Sequence, residues 1–294
     1  MDQHLHVFVT VVDKKNFSRA AEKLHMTQPA VSQYIHLLEE RVGARLLERT
    51  NKYVCLTKAG EIVDHHAREI LGMYTNMQRL VDDLTKRVKG PLAVGASYTF
   101  GEYVLPHVLA SLQRQYPDID PTITIGNTAT IADFVTSHQL DVGIVEGHFQ
   151  DEQVRVTDFA EDRMVVVASV DSPLVNKQQS VSLAELENEL WIIRERGSGT
   201  REATERMFSQ IGIAPHRRMY ISSTQPIKEA VEAGLGVSLL SQWAIQKELK
   251  NGYLKMVHVK GLPYIRQFSI LTKSPYQTKA VETFLDVVQH YEEI

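Results

Sequence analysis

The scarcities of this chain narrow its class first. There is one cysteine, Cys55, in 294 residues, and a single thiol excludes an intramolecular disulfide framework or a multi-cysteine zinc site. Its neighbours Val54 and Leu56 are apolar, so Cys55 reads as a small buried residue. No stretch approaches the roughly 18 uninterrupted apolar residues of a membrane span. The Met1-Asp2-Gln3-His4 start lacks the basic segment and apolar run of an export signal, so a cytoplasmic protein with no membrane partner is expected. Enzymatic signatures are missing too: no G-x-x-x-x-G-K-[ST] loop, no G-x-G-x-x-G or G-x-S-x-G, no H-E-x-x-H and no EF-hand spacing. Gly197-Ser198-Gly199 fits none of them. The expectation is therefore no enzyme, no cofactor and no metal; the adjacent His65 and His66 show no acidic or histidine partner at ligand spacing and read as helix surface and seam.

Charge of one sign is also scarce, with a net of −4 that hides a split. Residues 1–57 hold eight bases against six acids, a head of +2 on a body of −6. That permits nucleic-acid binding without proving it, because the local field at a contact face is what matters. The length suits two or three compact units.

Within the head, three segments place apolar residues at i, i+3, i+4 and i+7, the mark of one buried helical face. Leu5, Phe8, Val9 and Val12 form the first stripe, Phe17, Ala20, Ala21 and Leu24 the second, and Val31, Tyr34, Ile35 and Leu38 the third. Asn16 and Thr27 suit N-caps, and Pro29 is tolerated in an opening turn. Only His25 and Met26 separate the second and third helices, the spacing of a helix-turn-helix. With the stripe removed, the third helix turns Gln28, Pro29, Ser32, Gln33 and His36 outward, polar groups able to read base edges in a major groove. Residues 46–56 resemble two short strands around a polar turn, a wing whose Arg49, Thr50 and Lys52 suit phosphates.

The run Phe17-Ser18-Arg19-Ala20-Ala21-Glu22-Lys23-Leu24-His25-Met26-Thr27-Gln28-Pro29-Ala30-Val31-Ser32, continued by Leu38-Glu39-Glu40, Gly43, Leu46, Arg49 and Leu56-Thr57-Lys58-Ala59-Gly60, resembles the signature of the LysR-type transcriptional regulators. The resemblance implies that Thr27, Gln28, Pro29, Ser32 and Gln33 approach bases of double-stranded operator DNA while Arg19, Arg49, Thr50 and Lys52 hold its backbone. This sequence departs from common family members at His36 and Leu37, where basic residues are frequent, and at Leu47, often Phe.

From Thr57 to Gly90-Pro91 the pattern predicts a helix of about thirty residues. Ile62, His66, Ile70, Met73, Met77, Leu80 and Leu84 recur at spacings of four and three, a coiled-coil seam that needs a partner. The resemblance implies a homodimer through this helix, a tetramer in many relatives, and RNA polymerase as the remaining candidate partner.

Beyond Pro91, β-branched runs alternate with amphipathic stretches, which predicts parallel α/β units. The strands expected are 92–96, 122–126, 142–145, 164–168, 191–193, 219–221, 237–240 and 268–271. A composition change at Glu161 to Arg163 and the Gly261-Leu262-Pro263 break suggest two crossings between two lobes. The fold expected is multidomain: an all-α winged helix-turn-helix domain at 1–57, a linker helix at 58–90, and an α/β two-lobed effector domain at 91–294. By resemblance the last is similar to type 2 periplasmic binding proteins, with lobe one at about 91–161 plus 268–294 and lobe two at about 162–267.

Ligands of open α/β sheets sit at strand C-terminal ends, beside helix N-termini. Three polar loops qualify: Ser97-Tyr98-Thr99, Asn127-Thr128, and the loop carrying Arg196, Ser198, Gly199, Thr200 and Arg201. Hydroxyls, close backbone approach at glycine and a guanidinium suit a small anionic effector. The arginine-bearing glycine loop resembles that of relatives tied to sulfur assimilation or carbon fixation, which implies sulfur-pathway intermediates or phosphorylated metabolites. The competing reading is a small-molecule binding protein or α/β enzyme without a DNA role, and the N-terminal helix-turn-helix argues against it.

Overall fold

A computed structural model describes residues 2–49, 54–83, 88–147, 154–175 and 180–291. The chain divides into two compact units, Met1–Thr85 with Thr136–Gln139, and Lys86–Val135 with Leu140–Ile294.

In the first unit, helices α1 (Asp2–Lys14), α2 (Phe17–Leu24) and α3 (Gln28–Val42) surround a core centred on Phe8, Val11, Ala20, Val31, Ile35 and Leu46. The three stripes supply most of it. α1 buries a wider arc than its stripe, because Val7 and Val11 are also fully covered. Asn16 caps α2 by accepting from the Arg19 amide at 3.0 Å. His25 ends the helix in the left-handed region with φ 53°, and Thr27 caps α3 through the Ala30 amide at 3.4 Å.

Strands β1 (Leu47–Arg49) and β2 (Val54–Leu56) pair antiparallel, Leu47 opposite Leu56. The expectation that Cys55 is buried is corrected: it is exposed. Side chains alternate along a strand, so Val54 and Leu56 turn to the core and the residue between them must turn out.

Helix α4 (Lys58–Asp83) follows, shorter among the described residues than the thirty expected. Thr57 starts it by accepting from the Gly60 amide at 2.9 Å. A Cβ at Gly60 would run into the Leu46 carbonyl oxygen, so only glycine lets α4 lie this close to the wing. One face carries Val63, Ala67 and Leu71 against the core. The other exposes Ile62, Ile70, Met73 and Met77, each between 49% and 57% accessible.

The second unit runs β3 (Gly90–Ser97), α5 (Tyr98–Tyr103), α6 (Leu105–Gln115), β4 (Ile119–Gly126), α7 (Thr128–Thr136), β5 (Val142–Glu146) and β6 (Arg155–Ser169). It continues α8 (Leu183–Asn188), β7 (Leu190–Arg194), α9 (Gly199–Ile211), β8 (Arg217–Ile221), α10 (Thr224–Glu232), β9 (Ser238–Ser241), α11 (Gln242–Asn251), β10 (Leu254–Met256), β11 (Tyr264–Thr272) and α12 (Lys279–Gln289). All eight expected strands are present, and β10 is additional. The seven-stranded sheet is mixed where parallel units were expected: β3 is parallel to β4 and β5, but β6, β9, β10 and β11 pair antiparallel, while β7 and β8 form a separate parallel pair.

β6 and β11 are the two crossings. They pair from Tyr264 opposite Met164 to Thr272 opposite Arg155, with a register shift between Phe268 and Ser269, so the expected lobe limits at 161/162 and 267/268 fall inside these two strands, the second beside the shift. One lobe packs Val94, Phe100, Phe268 and Phe284. The other packs Met164, Trp191, Met207 and Val237, with Val167, Ile227 and Ile245 on the opposite face of its sheet.

Candidate DNA-reading face and effector pocket

The first unit presents its expected contact residues where the amphipathic pattern puts them. Thr27, Gln28, Pro29, Gln33 and His36 are exposed and Ser32 half-buried, along one side of the first turns of α3. Gln28 Nε2 donates to Ser32 Oγ at 3.2 Å, and His36 Nε2 lies 3.3 Å from Glu40. Arg19 is exposed on α2. Arg49 closes β1, with its side chain outside the described residues, as are Thr50 and Lys52. Every described polar group on this face reaches solvent, and its hydrogen bonds are local.

In the second unit most of the expected residues are already engaged, largely by residues that the sequence had not marked. Ser97 donates its hydroxyl to the Ile144 carbonyl at 3.3 Å and is buried. Tyr98 lies under the Arg194 guanidinium, 4.4 Å from ring centre to Cζ. Arg194 is itself buried and donates to both oxygens of Glu195, at 2.7 and 2.9 Å. Asn127 caps α7 through the Thr130 amide at 3.0 Å and donates from Nδ2 to Glu195 at 3.1 Å. Burial alone would raise the Glu195 carboxyl, but the hydrogen bonds and charge of Arg194 outweigh it and hold the group below its ordinary range.

Thr99 and Thr200 converge on a residue the sequence reading did not single out. Arg266 donates to Thr99 Oγ1 at 3.0 Å and to Thr200 Oγ1 at 3.1 Å, and its Nε to Asp162 at 2.7 Å. Ser241 completes Asp162 with a 2.6 Å hydrogen bond. Arg266 on β11 stands opposite Asp162 on β6, so one guanidinium ties α5, α9 and both crossing strands together. Glu146 Oε1 lies 3.8 Å from the same guanidinium. Its Oε2 is buried with no hydrogen-bond partner among the described residues. Burial pushes the Glu146 carboxyl up, with Asp162 adding to the push while Arg266, Thr99 and Arg194 oppose it.

The remaining expected residues border an open pocket of about 380 Å³ that includes Thr128, Arg196, Ser198, Gly199 and Arg201. Two helix starts are stitched across it. Ala129 N at α7 donates to the Gly197 carbonyl at 3.1 Å, and Gly199 N at α9 donates to Thr128 Oγ1 at 3.3 Å. A Cβ at Gly199 would strike the Glu146 carbonyl oxygen, so glycine is required for this approach. Ser198 starts α9 without capping it by its side chain. Arg196 is exposed, while Arg201 pairs with Glu205 at 2.8 Å and lies 4.7 Å from the Tyr220 ring centre.

The signal for the Arg266 junction was present in the chain. Asp162 sits in the Glu161-Asp162-Arg163 cluster, which reads locally as a break, and Arg266 is a lone charge in a strand-like run. Pairing them needs the register of β6 and β11, which the sequence does not display. One further expectation is corrected: His65 and His66 do have an acidic partner, since Glu69 approaches them at 3.8 and 3.0 Å. Its i+4 and i+3 spacing places it on their side of the helix.

Comparison with known proteins agrees with both halves. Residues 3–61 match the bacterial regulatory helix-turn-helix protein, lysR family, and residues 85–292 match the LysR substrate binding domain. The chain is 36% identical to the HTH-type transcriptional regulator CysL of Bacillus subtilis (strain 168), over 97% of this chain and 95% of that one. A full-length OxyR variant from Pseudomonas aeruginosa superposes with a TM-score of 0.77 at 25% identity, covering 99% and 95% of the two chains. The CcmR regulatory domain of Synechocystis in complex with 2-PG gives 0.63 at 26% identity, covering 69% of this chain and 97% of that one. A helix-turn-helix with its polar face open and a two-lobed α/β unit with polar loops thus have a common explanation: the chain belongs to the LysR family, as a DNA-binding transcriptional regulator that responds to a small molecule.

Proposed function

We propose that the α3 face of Thr27, Gln28, Pro29, Ser32, Gln33 and His36 reads operator bases, with Arg19, Arg49, Thr50 and Lys52 on phosphates. The carrying observation is that this polar face is exposed and, among the described residues, bound to no other element. Two copies join through α4, whose exposed Ile62, Ile70, Met73 and Met77 form an apolar row, and a dimer presents two recognition helices to half-sites about 34 Å apart. A tetramer and a contact with RNA polymerase belong to the same reading, as do a cytoplasmic setting and the absence of catalysis.

The effector is a small anion. Support comes from the pocket at Thr128, Arg196, Ser198, Gly199 and Arg201, whose size is near the lower end for ligand sites. It lies at a helix start, where amides favour negative charge, and it is lined by Arg196 and Arg201 together with Glu202 and Glu205. Arg201 and Glu202 are ion-paired, to Glu205 and Arg206, which leaves the exposed Arg196 as the guanidinium for an anion. Ser97, Tyr98, Thr99, Asn127 and Thr200 belong to the supporting network that fixes this pocket rather than to its lining. The 2-PG bound by the CcmR domain is a small ligand on a similar fold, and sulfur intermediates or phosphorylated metabolites are the effector classes to screen. The test is a thermal-shift panel of 2-PG, sulfite, sulfate and phosphate on the full chain. At least one should raise the melting temperature of the wild type and leave an Arg196→Ala, Arg201→Ala double variant unmoved. Equal shifts in both proteins would place the anion elsewhere.

A further inference from the structure

Helix α4 carries a group of donors that neither DNA reading nor effector binding uses. His65, His66 and Glu69 bring their ligand-capable atoms within 4.8 Å of one another. His66 Nδ1 stands 3.0 Å from Glu69 Oε2, and His65 Nε2 stands 3.8 Å from the same oxygen. In a tetrahedral zinc site with bonds near 2.0–2.1 Å, neighbouring ligand atoms lie about 3.4 Å apart, so the two distances straddle what a bound ion requires. The imidazole rings already meet edge to face, with centroids 5.1 Å apart.

The spacing has a physical reason. Glu69 is four residues after His65 and three after His66, the two separations that bring side chains together on a helix. The first is the separation of the two zinc-binding histidines in H-E-x-x-H helices, and the second that of a carboxylate and histidine in di-iron helix bundles. A surface ion pair is the competing explanation, since one carboxylate oxygen can accept from both imidazoles; an ion among the three atoms would engage each of them through a lone pair instead.

We propose that His65, His66 and Glu69 form a three-ligand site for a borderline divalent transition ion of the zinc type, on the surface of α4. Two nitrogens and one carboxylate oxygen suit zinc and disfavour magnesium or calcium, which take oxygen shells. Water fills the fourth position. His66 falls within the exposed row of Ile62, Ile70 and Met73, so an ion there adds a fixed positive charge on the face through which α4 would meet a second copy.

The experiment is calorimetric titration of zinc chloride into the full-length, tag-free, chelator-treated protein at pH 7.5. The result expected is one ion per chain, weakened more than about tenfold by His65→Ala, by His66→Ala and by Glu69→Gln, since even outer partners of metal ligands are worth 10- to 100-fold. His107→Ala, an exposed histidine elsewhere, should leave the isotherm unchanged, and magnesium chloride should give no binding. Glu69→Gln preserves the size of the side chain and decides the matter if either histidine variant alters the far-ultraviolet spectrum. No stoichiometric zinc binding by the wild type, or binding that survives Glu69→Gln, overturns the site.

Discussion

The two units of this regulator handle polar side chains in opposite ways. On α3, Gln28, Gln33 and His36 face solvent, and Gln28 and His36 bond within their own helix. In the effector unit, Thr99, Asp162, Thr200 and Arg266 are almost wholly buried and bond across 66 to 167 residues of chain. Exposed groups remain available to an external partner at little cost to stability. Buried ones are bound into the fold, and a buried charge must be paired to be tolerated at all. The contrast teaches that an unengaged polar face marks a reader, while an internally satisfied network marks the joint between two lobes.

The largest effect should come from breaking the joint. Arg266→Ala leaves Asp162 buried without its cation, and removing one partner of such a pair costs about 3–5 kcal/mol; urea denaturation of the effector unit should show that loss. A change under about 0.5 kcal/mol, typical of surface substitutions, would mean that the network is not holding the lobes. Next is Gly199→Ala, where the added methyl meets the Glu146 carbonyl. Overpacking of this kind costs about 1–3 kcal/mol, read by the same denaturation, and the pocket should lose its response to any stabilising anion.

The reader should respond in the reverse sense. Gln28→Ala or Gln33→Ala should reduce discrimination between specific and random duplex by about 1–3 kcal/mol, the worth of a good base contact. Stability should move by less than about 0.5 kcal/mol, as for exposed positions. Fluorescence anisotropy at fixed salt and a thermal melt measure the two quantities. A Gln28→Ala protein that melts early yet keeps its discrimination would erase the distinction between the units.

The smallest effect concerns protons. Burial raises the Glu146 carboxyl in the fold, so between the ordinary and the raised value the native state binds more protons than the unfolded chain. That contribution is fully present below the ordinary carboxylate range and is lost as pH climbs through the raised value. Glu146→Gln should therefore flatten the fall in stability toward alkaline pH. Glu195 is depressed, so its contribution is present above the ordinary range and lost as pH falls through the depressed value; Glu195→Gln should flatten the acid side. Urea midpoints from pH 3 to 9 distinguish the two, and identical profiles for wild type and both variants would contradict the assignments.

The same contrast explains what the chain revealed in advance. Helix stripes, caps and the contact face of α3 depend on neighbours three or four residues away, so Asn16, Thr27 and Ile35 could be placed by counting. The strands were legible as β-branched runs, but their antiparallel pairing was not. The Arg266 and Asp162 partnership spans 104 positions and depends on that pairing. The polar loops were legible as polar, while their internal bonding was hidden: Thr200 looked available to a ligand because nothing local engages its hydroxyl. Cys55 went the other way, its apolar neighbours suggesting burial that strand alternation forbids.

Helix α3 as a sequence reader is tested most directly by selection from randomised duplex DNA with the full-length protein. Wild type should enrich a motif with two related half-sites about one helical turn, or a multiple, apart, and a Gln28→Ala, Gln33→Ala double variant should retain salt-sensitive binding while losing the motif. Enrichment of the same motif by the double variant, or of none by the wild type, would contradict it.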